Sequence, residues 1–403
     1  MSVELETCRT LARPTPSRIL LIVLDGLGGL PHPELENRTE LDCASLPHLN
    51  ALTRRASTGL SHPIAPGVTP GSAPAHLALF GYDPLRHAVG RGVLSALGVD
   101  FELVDGDVAA RISFCSLGHD GTVTDRRAGG LPTEVCARLA SRLAAIHIPG
   151  IDIFVRPEMG HRAALVLRGP GLDGRVTDSD PGQERMAPLS VRPLVPEAMR
   201  TAEIVNTLLE QAEHTLRNED PANMILLRGF AQHEEFPSLS QLWRLTPAAV
   251  AAYPMFRGVS RLVGMKVLQT GSGLEEQVAT LETHWSEHDF FFVHVRKPDA
   301  AAREGNPGKK IAALEAFDAI LPRLLALGPE VVSVVGSHST PSIAGHQTWH
   351  PVPLLLWSRS CRPDGIAEFN ERALRAGSLW PMRHVELMPL LMAHAGKLAQ
   401  YGA

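Results

Sequence analysis

The sequence predicts an α/β protein whose core sheet is mostly parallel and is interrupted by a smaller α+β insertion. Three observations carry this expectation. A β-branched apolar run near the start ends in Asp25-Gly26, and later apolar runs alternate with helical segments. Between about Gly98 and Pro193 the texture changes to short β-rich runs broken by Gly, Pro and Asp. The chain's 403 residues allow two to three domains at roughly 100–200 residues each. The expected division is residues 1–100 as the first part of the core, 101–192 as an inserted cap, and 193–403 as the rest of the core.

Taken in order, Arg18–Leu24 reads as a buried parallel strand with Asp25 at its C-terminal end, where open α/β sheets bind their ligands. Leu46–Ala56 has helical spacing, with Leu46, Leu49 and Leu52 on one side. The Gly/Pro-rich stretch Ala65–Leu77 then presents Ser72 at the start of an apolar helix. Inside the insertion, Ala109–Ser116 and Ala163–Arg168 read as strands and Thr133–Ile146 as a helix. Beyond it, Pro196–Glu219 is helical, and the strand Ala222–Gly229 is expected to resume the core. Asp289–Val295, Val331–Val335 and Val352–Trp357 read as further buried strands, with a helix over Lys310–Leu327.

Composition narrows the function. A net charge of −5 leaves no broad basic surface, so nucleic acid is not an expected partner. The apolar run Ile19–Leu24 is far short of the ~20 residues of a membrane span. Five scattered cysteines without a C-x-x-C argue against a disulfide framework or a cysteine zinc site. The opening MSVELETCRT lacks a basic stretch followed by an apolar one, so a cytoplasmic protein is expected.

Asp25, Asp299 and His338 each sit at or just past a predicted strand end, and Ser72 lies in a Gly-flanked turn. His346 and His350 follow His338 closely. Arg126 and Arg127 stand in Asp125-Arg-Arg-Ala-Gly129, and Arg162 in Gly160-His-Arg-Ala163. Converging Asp, Ser and His side chains can bind a divalent metal and activate a serine for phosphoryl transfer, and arginines can clamp a phosphate or carboxylate. Each signal alone has a plainer source: Asp-Gly is turn chemistry, Ser72 can simply cap its helix, and paired arginines are often just solvated.

Their order is more specific. LIVLDG, APGVTPGSAPAHLALFGYDP, the GRG of Gly90–Gly92, TDRRAG, GHRA, TDSDP, PANMILLRG, HSTP and HPVPLLLWS resemble, collinearly over nearly the whole chain, the archaeal-type cofactor-independent phosphoglycerate mutases of the alkaline phosphatase superfamily. The resemblance implies an alkaline-phosphatase-like core with a substrate-binding insertion, and a serine that accepts phosphate from phosphoglycerate and returns it to the other hydroxyl. No bisphosphoglycerate is needed. Two divalent metals, Mn, Mg or Zn, would flank that serine. Carried over residue by residue, Ser72 is the nucleophile, and Asp25, Ser72, Asp299 and His338 are metal ligands. Arg91, Asp125, Arg126, Arg127, Arg162 and Arg296 fall in the substrate-binding segments.

This chain departs from the pattern at three ligand positions. Ser337 stands for the Asp of Asp-His-Ser-Thr, Arg303 for the His of Asp-x-x-x-His, and a gap-free count puts Gln347 at the later His, with His346 one residue early. Serine is a poor ligand, and arginine brings a fixed positive charge. The expectation is therefore at most one divalent metal, with Ser72, Arg303 and His338 carrying catalysis and His346 completing a weak metal set. The expected enzyme is divergent, with a small phosphorylated or phosphonylated carboxylate as substrate and 2-/3-phosphoglycerate interconversion through phospho-Ser72 as the family default. The alternative is a non-catalytic protein that binds a phosphoglycerate-like anion.

Overall fold

The computed structural model describes residues 5–87 and 89–402. In chain order the strands are β1 (Ile19–Leu24), β2 (Ser57–His62), β3 (Val108–Leu117), β4 (Val123–Asp125), β5 (Asp152–Met159), β6 (Arg162–Arg168) and β7 (Met224–Gln232). They continue with β8 (Pro247–Val250), β9 (Lys266–Val267), β10 (Phe290–Val295), β11 (Val331–Gly336), β12 (Val352–Ser358) and β13 (Met382–Arg383). Two compact units divide them. The first is Met1–Ala88, Pro237–Phe256 and Val263–Ala403, and the second is Val89–Phe236 with Arg257–Leu262.

The first unit holds an eight-stranded sheet in the order β13-β2-β12-β11-β1-β10-β8-β9. β12 runs antiparallel to both its neighbours and every other pairing is parallel. Every residue of β1, β10 and β11 is buried, as expected of continuous apolar runs covered on both faces. Leu20, Ile22, Phe291, Val293 and Val334 of these strands pack with Leu314, Phe317 and Leu321 of the Pro307–Ala326 helix in one apolar cluster. The three central strands are in register, with Leu24 opposite both Val295 and Gly336, so their C-terminal ends open together. β2, Ser-Thr-Gly-Leu-Ser-His, is buried despite its polar sequence because the hydroxyls find partners: Thr58 donates to Asp364 and Ser61 pairs with His384 Nδ1 at 2.7 Å.

The second unit is built on an antiparallel five-stranded sheet in which β3 pairs with β4, β6 and β7, and β5 pairs with β6. Its own apolar cluster gathers the Thr133–Ala144 and Met199–Leu216 helices against that sheet. The unit runs to Phe236, past the border expected at residue 192. The cause is β7. The run Met-Ile-Leu-Leu-Arg-Gly was expected to resume the core sheet, yet it pairs with β3 from Cys115↔Met224 to Val108↔Gln232. An apolar run marks a buried strand without naming the sheet that buries it. All five cysteines are free thiols, and among the described residues no helix is long and apolar enough to cross a membrane.

Candidate functional site

Asp25 follows β1, Ser337 and His338 follow β11, and Asp299 lies in the first turn of the Lys297–Arg303 helix after β10. The parallel register of β1, β10 and β11 therefore delivers the two carboxylates and the imidazole to one place, at the C-terminal edge of the sheet. Gly26 makes the approach possible. It has φ +67°, and a Cβ there would lie 2.8 Å from Asp299 Cα.

The side chains form a closed hydrogen-bond knot. Ser337 donates its hydroxyl to Asp25 Oδ1, and Ser337 Oγ is 2.9 Å from His338 Nδ1. His338 Nε2 lies 3.0 Å from Asp299 Oδ1, which also accepts from the Thr340 hydroxyl at 2.7 Å. Arg303 Nε donates to Asp299 Oδ2 at 2.7 Å, the contact that i,i+4 spacing on a helix produces. Burial alone would raise both carboxyl pKa values. For Asp25 the facing imidazoles, His338 foremost, outweigh it, and for Asp299 the His338 contact and the Arg303 hydrogen bond do, so both carboxyls sit below the ordinary range. Beneath the loop, the buried Lys310 ammonium donates to the carbonyls of Gly28 and Thr340 and fixes the backbone that carries the knot.

Ser72 is the first residue of the Ser72–Leu79 helix, behind Gly71. It reaches the knot through Gln347, whose Nε2 donates to Ser72 Oγ at 2.7 Å and lies 3.1 Å from His338 Nε2. His346, expected as a ligand, is exposed and donates its Nδ1–H to the carbonyl of Gln347 at 2.9 Å. The neighbouring residue, Gln347, faces inward in its place. At each position where this chain departs from the expected ligands, the new residue brings an N–H or O–H donor: Ser337 toward Asp25, Arg303 toward Asp299, and Gln347 toward Ser72.

The second unit holds a cluster of arginines. Arg111 is pushed down to about 10, first by burial and then by the positive charges of Arg162, Arg91 and Arg228, against the pull of Glu158. Burial raises the Glu158 carboxyl, which also accepts from the Ser95 hydroxyl at 3.2 Å. Arg91 opens the Arg91–Gly98 helix. Gly229, at φ +65° with its Cβ position 2.7 Å from Arg91 Cβ, lets β7 carry Arg228 past it. Arg126 is bound to Asp180 at 2.7 Å, and Arg228 reaches the same carboxylate at 3.3 Å.

The expected residues thus separate by role. Asp25, Asp299, His338 and Ser72 come together, and Arg91 and Arg162 share the electrostatic field of Arg111. Asp125 uses both carboxylate oxygens on the N–H groups of Arg127 and Gly129, so it shapes the turn that carries Arg126 and Arg127. Arg127 is exposed, and Arg296 lies over the Tyr253 ring at 4.1 Å. Sequence reasoning missed Arg111, a single charge inside an apolar strand, and Arg228, read only as the end of one.

The family model described as 2,3-bisphosphoglycerate-independent phosphoglycerate mutase matches residues 53–223. A Thermus thermophilus protein named a probable 2,3-bisphosphoglycerate-independent phosphoglycerate mutase is 47% identical over 98% of both chains. The solved cofactor-independent phosphoglycerate mutase from Thermoplasma acidophilum is 32% identical, with a TM-score of 0.69 over 94% of this chain and 100% of that one. The PH0037 protein from Pyrococcus horikoshii is 25% identical, with a TM-score of 0.84 over 97% of this chain and 100% of that one. With such identity sustained along nearly the whole of both chains, this chain belongs to the 2,3-bisphosphoglycerate-independent phosphoglycerate mutase family.

Proposed function

We propose that this chain moves a phosphoryl group on a small phosphorylated carboxylate through phospho-Ser72, with 2- and 3-phosphoglycerate as the first substrates to test. The observation that carries this reading is Ser72 itself. Its hydroxyl stands at a helix N-terminus, where backbone dipoles favour incoming anionic oxygens, and Gln347 positions its oxygen. The relatives' named activity supplies the substrate class.

The chemistry balances without an outside reactant. Ser72 Oγ attacks phosphorus, the ester P–O bond breaks, and the proton released by the serine is the one the departing alkoxide needs. In the second half-reaction the other hydroxyl of the glycerate attacks phosphoserine, and Ser72 recovers its proton. Arg303 offers charge where the phosphoryl oxygens would crowd. Its Nε is held by Asp299, while its terminal nitrogens have no hydrogen-bond partner among the described residues. Arg91, Arg111, Arg162 and Arg228 form the anion-binding group of the second unit.

The two-cation centre implied by the family resemblance does not fit this donor set. A cation between Asp299 and His338 would have to displace the Arg303 guanidinium and the Thr340 and Gln347 donors, and Ser337 offers a neutral hydroxyl already directed at Asp25.

The test is brief exposure to 32P-labelled 3-phosphoglycerate followed by acid quench and peptide mapping. Label on Ser72, absent in Ser72→Ala, is the expected result. A chain that binds 3-phosphoglycerate but never labels, and turns over none of a panel of phosphoesters and phosphonates, is a binding protein instead. The spent donor set of the pocket is what favours that second reading.

A further inference from the structure

Asp25 has two faces. Oδ1 belongs to the knot with Ser337 and His338. Oδ2 looks the other way, toward His294 of β10, whose Nε2 lies 3.6 Å off, beyond hydrogen-bond range. Beside them stands His76, one turn after Ser72 in the same helix. Both imidazoles are buried, at 0% and 1% exposure, and among the described residues the Nε2 of each has no hydrogen-bond partner.

The tautomer of His76 follows from its other nitrogen. Nδ1 lies 2.7 Å from the carbonyl oxygen of Ser72, which can only accept, so Nδ1 carries the proton. In the neutral ring Nε2 is then a bare lone pair. An imidazole with its far nitrogen donating to a backbone carbonyl and its near one free is the state in which histidine binds metal. Aromatic rings close around the pair. His76 packs against Phe256 and Phe292, and His294 stacks on Phe256 at 3.6 Å between ring centroids. Two imidazole nitrogens facing one carboxylate oxygen in an aromatic box form a set of lone pairs that a cation can gather.

The three ligand atoms of Asp25, His76 and His294 lie within 4.8 Å of one another. A tetrahedral ion with bonds of about 2.0–2.2 Å spaces its ligands by roughly 3.4 Å, so the 3.6 Å separation of His294 and Asp25 is close to the needed edge. The opposite face of Asp25 offers no such vacancy of partners, because every ligand atom there already meets a protein group.

We propose that Asp25, His76 and His294 form a binding site for one divalent transition cation of the zinc class, on the side of Asp25 away from Asp299 and His338. Two imidazoles and a carboxylate select Zn²⁺ or Co²⁺ over Mg²⁺. The ion ties β1, β10 and the Ser72 helix together, and through the His76–Ser72 carbonyl bond it fixes the first turn that presents Ser72. The site stands on its own geometry and does not require that the chain turn over phosphoglycerate.

The experiment is Co²⁺ loading of chelator-stripped full-length protein, read by elemental analysis, visible absorption and X-ray absorption at the cobalt edge. Wild type should take up about one equivalent with two imidazoles in the first shell. His76→Gln and His294→Gln should each weaken binding about tenfold or more, and His338→Gln should leave it unchanged. Failure of wild type to take up cobalt overturns the proposal, as does loss of binding in His338→Gln or uptake of two equivalents. Should the histidine variants fail to fold by circular dichroism, the wild-type absorption edge still decides. Two imidazoles support this site, whereas one or none places the ion elsewhere.

Discussion

The strand-end pocket of the first unit and the arginine cluster of the second treat charge in opposite ways. In the pocket, Asp25 and Asp299 meet Ser337, Thr340, Arg303 and His338, and on the Asp299 side each ligand atom has a protein partner. In the cluster, Arg111 and Arg162 act on Glu158, whose own ionisation burial opposes, Arg91 adds its charge beside them, and Arg228 reaches Asp178 and Asp180. The pocket is self-satisfied, and the cluster gathers positive charges that push one another's ionisation down, as at Arg111. A protein surface carries such a gathering at a cost in folding stability, which makes it the stronger sign of an anionic ligand. Satisfaction is the stronger sign that the pocket's side chains hold one another in place.

The largest expected effect reopens the pocket. Ser337→Asp, Arg303→His and Gln347→His together replace three donors with three ligands, and elemental analysis should then find at least one more equivalent of Mn, Mg or Zn than wild type holds. Unchanged metal content would show that something other than these donors closes the site.

Acid sharpens the contrast next. His384 accepts from the Ser61 hydroxyl at Nδ1 and donates from Nε2 to the Ser337 carbonyl, so its buried ring is satisfied only when neutral. Burial pushes its pKa down to about 3 from 6.5. Between those values the unfolded chain binds a proton that the folded one refuses. This contribution is complete above pH 6.5 and is lost as pH falls toward 3, at up to about 1.4 kcal/mol per pH unit. Denaturation midpoints measured across that range should fall steeply in wild type and less steeply in His384→Asn. Equal slopes would break the assignment.

Much of this was legible in the sequence, and the failures share a cause. β1, β10 and β11 declare themselves as continuous apolar runs and place strand-end Asp25, and the Gly/Pro-rich turn ahead of an apolar helix points to Ser72. β2 escapes because its burial depends on hydroxyl partners more than a hundred residues away, Asp364 and His384. β7 was seen but assigned to the wrong sheet, since pairing with β3 is a tertiary fact. Gln347 was reachable by counting, yet chemical preference for a histidine favoured His346, which the turn faces outward. His76, His294 and Arg111 sit singly inside apolar runs, where only the fold shows what they face.

A smaller effect tests the cluster. Among the described residues Arg111 Nε is buried without a hydrogen-bond partner, and neighbouring cations oppose its charge. Arg111→Met should weaken 3-phosphoglycerate binding by about 1.5–3 kcal/mol, the worth of a charge-assisted contact, as read by calorimetry. It should leave the thermal midpoint equal or higher, because the substitution removes repulsion and an orphaned donor. A lower midpoint with unchanged binding would make Arg111 a structural residue and the excess charge incidental.

The smallest effect lies at the edge of the same cluster. The Asp180 carboxylate is nearly buried and accepts from Arg126 at 2.7 Å and from the Gly182 N–H at 2.8 Å, with Arg228 Nη1 at 3.3 Å. Burial alone would raise its pKa, but the Arg126 and Gly182 hydrogen bonds overcome that and lower it. Removing Arg126 does not strand the charge, since Arg228 and the backbone remain, so Arg126→Ala should cost only about 1 kcal/mol near neutral pH rather than the several expected for an unpaired buried ion. A depressed carboxyl contributes stability that is present above its unfolded value of 3.8 and is lost as pH falls through the folded one. The gap between wild type and Arg126→Ala in thermal midpoint should therefore narrow on acidification below that value. A gap of several kcal/mol that persists in acid would mean that Arg126 acts through packing, and that Arg228 does not share the load on Asp180.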